Sequence, residues 1–258
     1  MSNPLAVKQH WEDPQTVSLR DENLRVLEQR TISIHLEPVE SLLEMGCGDC
    51  INTLAYSRHA KTTWAIDYST EMIKKARSRM AREVRPRTHL INGDFALLKA
   101  LRKRFQTIVS QRCLINLSGW TEQQEAISAI AEKLDDRGMF LMLETTLDGL
   151  ENLNRLRNRV GLPSVPQTWH NQTFDLQRLL DFLGRYFLIE AMTDFSFYFL
   201  TTRVLNPLLG LPADHPQSKK LDEVARVLVE KIGPLGIKGI GPQIFLKLRK
   251  KSQREVQR

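Results

Sequence analysis

Residues 41–50, Ser-Leu-Leu-Glu-Met-Gly-Cys-Gly-Asp-Cys, constrain the fold more than any other part of the chain. A short apolar strand reaches a carboxylate, Glu44, and runs straight into a turn built on Gly46 and Gly48. A glycine pair after a buried strand reaches dihedrals closed to other residues, and it lets a ligand approach the backbone without meeting a Cβ. The turn is therefore a candidate nucleotide site. The next strand-like run, Thr62-Thr63-Trp64-Ala65-Ile66, ends at Asp67, about twenty residues beyond Gly48, the interval at which a ribose-binding acid is expected.

At 258 residues and 41% hydrophobic side chains, the chain can bury one substantial α/β core, and we expect one domain over 1–258. No apolar run approaches the roughly 20 residues needed to cross a bilayer. The opening residues lack a signal-peptide apolar region, so a soluble, cytoplasmic protein is expected. Three cysteines, Cys47, Cys50 and Cys113, cannot all pair and are expected to be reduced. Cys47 and Cys50 spell C-x-x-C, but with no second Cys/His pair nearby no metal is expected. The net charge of +7 raises the question of a nucleic-acid partner. Its densest parts, residues 74–87, 101–104 and 247–258, do not interleave basic residues with stacking aromatics, so a solvated face is favoured over an RNA platform. An anionic small substrate is the further option.

Along the chain, acidic residues at 21 and 22 and apolar residues at 24, 26, 27, 32 and 34 predict a helix over 20–36. Strands are predicted at 42–43, 62–67, 88–92, 105–110, 139–143, 186–191 and 243–248. Helices are predicted at 51–59, at 70–83 behind a Ser69 cap, and at 122–134, 150–160 and 175–183. A turn is read at Asp135-Asp136-Arg137-Gly138, and a proline-containing loop through Pro207, Pro212 and Pro216. Apolar strands alternating with helices argue for a mainly parallel sheet covered on both faces, with ligands at the carboxyl ends of its strands. Glu44, Asp67, Asp94, Gln111 and Arg112 all fall there.

In these motifs the chain resembles the class I S-adenosylmethionine-dependent methyltransferases, strongly over residues 40–145 and more weakly beyond. The resemblance implies a Rossmann-like fold with a seven-stranded, mostly parallel sheet and helical or loop insertions forming a substrate cap. It implies S-adenosyl-L-methionine as cofactor and S-adenosyl-L-homocysteine as product. Leu43-Glu44-Met45-Gly46-Cys47-Gly48 matches the motif that holds the methionine end. Asp67, followed by Tyr68 and Met72, falls where the ribose hydroxyls are bound, and a carboxylate suits that role because it only accepts hydrogen bonds. Asn92-Gly93-Asp94-Phe95 falls at the adenine pocket, and Gln111 lines the methyl-transfer side. Cys50 stands where the family usually carries a third glycine. A nicotinamide enzyme is the weaker reading, because G-x-G-x-x-G would need a glycine at Ile51.

The resemblance also divides the chain into an amino-terminal helical segment over the cofactor (1–38), a cofactor core (39–145), acceptor-side insertions (146–185 and 195–241) and a final strand with a basic tail (242–258). The Asn/Asp-Pro-Pro-aromatic motif of base amino methyltransferases is absent after strand four. A small molecule is therefore the expected partner, with RNA methylation and a non-catalytic cofactor-binding protein as alternatives; oligomeric state is not legible. Segments 151–157, 169–171 and 195–204 resemble a bacterial branch associated with glycans, which implies O-methylation of a sugar-like or anionic acceptor. Of six histidines, His170 and His215 lie in the insertions, and His170 is the candidate general base. Trp11, Arg112, Trp169, Asn171, Tyr198 and Arg203 are the candidate acceptor contacts.

Overall fold

The computed structural model describes residues 3–17, 19–82, 87–233, 236–252 and 255. The predicted basic tail therefore lies in part, at 253–254 and 256–258, outside the described residues, as do the end of the helix predicted to 83 and part of the basic run 74–87. Seven strands form one sheet: β1 (Val39–Met45), β2 (Ala60–Asp67), β3 (Thr88–Asn92), β4 (Phe105–Gln111), β5 (Leu134–Thr145), β6 (Phe187–Asp194) and β7 (Gln243–Lys250). Their order is β3-β2-β1-β4-β5-β7-β6. The first five are parallel, and β7 inserts antiparallel to both β5 and β6. The sheet is Rossmann-like. Its order reverses between β1 and β4, so the crevice for a ligand opens above Met45 and Gln111.

The helices are α1 (Pro4–Glu12), α2 (Glu22–Ile34), α3 (Thr53–Tyr56), α4 (Thr70–Met80), α5 (Phe95–Ala100), α6 (Trp120–Lys133), α7 (Leu147–Arg159), α8 (Leu176–Leu183), α9 (Ser196–Leu200), α10 (Asn206–Leu208) and α11 (Pro216–Ile232). Capping explains several starts: the side chains of Ser69, Asp94 and Asp175 accept from the first-turn amides of α4, α5 and α8. One face of the sheet carries a core of Leu43, Ile108, Phe140 and Leu246 under Ile127, Ile130 and Phe182. On the other, Leu42, Val109, Leu141 and Phe245 meet Leu24, Leu27, Ile32, Tyr198 and Phe199.

The structure differs from the sequence-based expectations where tertiary packing overrides local signals. Residues 135–138 do not end in a turn: they are carried inside β5, with Arg137 at φ 62 and a register shift against β4 between Phe105 and Thr107. The proline-containing loop holds the 17-residue helix α11, because Pro216 occupies a first-turn position where its missing N–H costs nothing and His215 caps the amides. His215 is thereby a capping residue. The helix predicted over 51–59 is a single α turn followed by a 3-10 turn at Ser57–His59. No helix among the described residues is long and apolar enough to cross a membrane.

Candidate active site

The glycine turn takes the conformation that its sequence requires. Gly46 and Gly48 have φ 67 and 53, and the amides of Gly46 and Cys47 both donate to the Ile66 carbonyl, fastening the turn to β2. Cys50 adopts the left-handed region as well, at φ 61, and is fully buried among Cys47, Ala65, Ile73 and Ala76. The bend expected of a third glycine is thus made by a residue that pays a steric cost for it.

A cleft of ≈ 870 Å³, counted with its open mouth, lies over this turn. Glu44, Gly46, Cys47, Gly48, Asp67, Tyr68 and Gln111 line it, and so do Trp11, Arg112, His170 and Asn171. Asp67 accepts from Gly48 N–H through Oδ2 (2.8 Å) and from Ser69 N–H through Oδ1 (2.9 Å). Each oxygen retains capacity for a further donor. Burial raises its pKa despite those two amides. Glu44 is 2% exposed, and its Oε2 has no hydrogen-bond partner. Burial pushes its pKa up to about 8, with the charges of Asp67 and Asp49 adding to the effect. The Tyr68 hydroxyl is also buried without a partner.

Asn92, Gly93, Asp94, Phe95 and Met72 stand beside the cleft and are not among its lining residues. They are tied to it: Gly93 N–H and Asn92 Nδ2 both donate to the Asp67 carbonyl, and Asn92 Nδ2 also reaches the Tyr68 carbonyl. Asp94 Oδ1 caps α5 by accepting from Ala96 and Leu97 N–H. Met72 is buried in α4.

The amino-terminal segment bridges the two rims. Trp11 Nε1 donates to Asn116 Oδ1 (3.1 Å), while its carbonyl accepts from Ser69 Oγ, and the Glu12 carboxylate accepts from Thr70 and Glu71 N–H at the start of α4. His10 stacks on His170 with ring centroids 4.5 Å apart, and Trp169 meets both rings edge-on while remaining 56% exposed. His170 Nδ1 is buried without a partner, and burial, followed by the charges of His10 and Arg112, lowers its pKa to about 4. It is a neutral imidazole at physiological pH.

Tyr198 and Arg203 do not line the cleft. Tyr198 donates to Asp21 Oδ1 (2.7 Å) and Arg203 pairs with Asp21 Oδ2 (2.5 Å), so both fasten α9 and the turn after it to the start of α2. Two acids were missed in the sequence. Glu144, at the end of β5, accepts from Ser110 Oγ and from the amides of Cys113, Leu114 and Ile115, and so shapes the wall after β4. Glu28, on α2, is fully buried and lines the cleft. Its signal was available: it sits four residues after Leu24 and before Ile32, an acid in an apolar helical stripe.

The acidic and amide groups fit the adenosine and amino-acid ends of S-adenosylmethionine: Asp67 keeps accepting capacity beside the turn, and Glu44 holds an unmet buried oxygen. The sequence profile of a family described as a methyltransferase domain matches residues 42–138. No curated protein matches the sequence. Among solved structures, the N-methyltransferase NodS from Bradyrhizobium japonicum, in complex with S-adenosylhomocysteine, superposes with a TM-score of 0.59 at 13% identity, covering 96% of this chain and 98% of its own. Magnesium protoporphyrin IX methyltransferase from Synechocystis, also with S-adenosylhomocysteine bound, gives 0.57 at 15% identity over 96% and 94%. The cyclopropane synthase MmaA2 from Mycobacterium tuberculosis gives 0.58 at 13% over 97% and 95%. At these identities the likeness is one of fold, and the profile match is to residues 42–138. Residues 42–138 thus match a methyltransferase-domain family, within a chain whose fold is shared by methyltransferases solved with S-adenosylhomocysteine bound.

Proposed function

We propose that the protein transfers a methyl group to a hydroxyl of a small, sugar-like or anionic acceptor, with His170 as general base. The observation that carries this reading is the presence of His170, neutral and with a free buried Nδ1, beside Arg112 in the same cleft as Gly46, Gly48 and Asp67. The cofactor, when bound, supplies an electrophilic methyl on a sulfonium, and transfer leaves a neutral thioether. Asp67 takes the ribose hydroxyls, and Glu44 takes the ammonium at the methionine end. Asn92, Gly93, Asp94 and Phe95 flank the base, with Tyr68 and Met72 behind the ribose. His170 Nδ1 removes the acceptor proton as the C–O bond forms, and a weak base suffices against so strong an electrophile. Arg112 offers a guanidinium for an acidic group, Asn171 a polar contact, and the exposed Trp169 with the half-buried Trp11 a platform for a sugar ring.

The basic residues Arg102, Lys103, Arg104, Lys133, Lys250 and Lys251 group where β4 and β5 begin, at the end of the sheet opposite the cleft. A polyanion held there would not present a base to His170, which favours a small acceptor over RNA. The test is incubation with methyl-labelled S-adenosylmethionine and a fractionated extract, followed by identification of the labelled product. Label in a small-molecule methyl ether is expected; label in RNA, or on nitrogen, would contradict the reading. With that product in hand, His170→Gln should lower kcat by about 10²- to 10⁴-fold while S-adenosylhomocysteine affinity holds.

A further inference from the structure

The wall of the cleft contributed by α2 and the loop after β4 holds two opposite charges, each short of a partner. Glu28 is fully buried. Its Oε2 accepts from Gln111 Nε2 (3.0 Å), and its Oε1 accepts from nothing. Gln111 cannot swing away, because its Oε1 accepts from both Tyr56 Oη (2.6 Å) and Asn52 Nδ2 (3.0 Å). The carboxylate is thus fixed with one oxygen unmet. Arg112 has a buried Nη1 without a partner. Its backbone sits in the left-handed region at φ 53, held there by its own N–H on the Leu143 carbonyl and by Asn116 Nδ2 on its own carbonyl, both at 2.8 Å. Strain of this kind in a non-glycine residue persists where its surroundings over-determine it, and functional sites are where it collects. Burial raises the pKa of Glu28, so its charged form needs a cationic partner; the charge of Arg112 opposes that shift most strongly, yet neither Oε1 nor Nη1 has the other as a hydrogen-bond partner.

A buried charge without a partner is costly. A neutral ligand would leave both unmet, and an ion of one sign would satisfy only one of them. We infer that Glu28 and Arg112 form a subsite for an amino-acid headgroup, Glu28 Oε1 taking its ammonium and Arg112 Nη1 its carboxylate. Such a headgroup has two possible sources, the methionine end of the cofactor or an amino-acid acceptor. The first source rests on the cofactor reading, in which Glu28 shares the ammonium with Glu44; the second does not.

The experiment compares S-adenosylhomocysteine with 5′-methylthioadenosine, which keeps the nucleoside and thioether but lacks the headgroup. Calorimetry is run on the native protein, Glu28→Gln and Arg112→Gln, with Arg112→Lys as the charge-keeping control and melting curves to establish folding. Each neutral variant is expected to bind S-adenosylhomocysteine about 10- to 100-fold more weakly, with 5′-methylthioadenosine affinity kept within about twofold. If S-adenosylhomocysteine affinity is unchanged, L-serine is added to the S-adenosylhomocysteine-loaded protein. A rise in melting temperature in the native protein that both variants lose assigns the headgroup to an acceptor and upholds the subsite. Unchanged affinity with no such shift overturns it. A native protein that binds neither nucleoside would defeat the cofactor reading instead, and the L-serine arm on the protein alone would still decide whether Glu28 and Arg112 hold a headgroup.

Discussion

Glu44 shows how a single buried residue ties stability to ligand binding. Its pKa stands at about 8 against an ordinary value of 4.5, chiefly because burial penalises the charged form. Between those values the folded protein holds a proton that the unfolded chain has released, so stability falls as pH rises through that window. The melting temperature of the ligand-free native protein should therefore fall relative to that of Glu44→Gln progressively from pH 5 to pH 8. An ammonium placed against Oε2 reverses the preference. The gain in melting temperature from S-adenosylhomocysteine should accordingly grow with pH over the same range, and a gain independent of pH would argue against Glu44 as its partner. Much of this site was legible in the residues themselves, since Glu44, Gly46, Gly48 and Asp67 stand at motif intervals and all line the cleft. His10 was not, and Glu28 showed only as an acid within an apolar helical stripe, with nothing local to say that it faces a cleft. A lone acid in an amphipathic helix and a histidine near the amino terminus gain meaning only from what they face.

At the scale of elements, α2 carries Arg25 and Glu28 to the cleft, and its position is set by Asp21. That side chain caps the helix at Leu24 N–H and also binds Tyr198 of α9 and Arg203 just after it. One carboxylate thus joins residues 198–203 to the start of α2. Replacing it by alanine leaves the Tyr198 hydroxyl and the Arg203 guanidinium short of a partner and removes the helix cap. Asp21→Ala should cost about 2–4 kcal/mol of unfolding free energy in denaturant titrations, whereas Tyr198→Phe should cost about 1 kcal/mol. A loss confined to acceptor kinetics, with stability kept, would instead make Tyr198 and Arg203 acceptor contacts. The parallel strands and their crossover helices were readable because apolar runs and caps are local signals. Helix α11 was not, since its three neighbouring prolines read as loop, and the contacts with α2 and α9 that stabilise it are distant in sequence. The same holds for residues 135–138, which read as a turn but are carried inside β5 at a register shift against β4.

Across the whole molecule, the strand order concentrates the acids and the glycine turn at the carboxyl ends of β1, β2 and β4, and leaves a basic group at the opposite end of the sheet. The separation predicts independence: Lys103→Gln with Arg104→Gln should leave S-adenosylhomocysteine affinity unchanged at every salt concentration. The central claim is that this crevice holds the nucleoside of S-adenosylmethionine through Asp67. It is tested most directly by titrating S-adenosylhomocysteine into the native protein and into Asp67→Ala by calorimetry. Binding by the native protein is expected, with a loss of about 1–3 kcal/mol in the variant as the ribose loses its acceptor. No binding by the native protein, or undiminished binding by Asp67→Ala, would contradict the account.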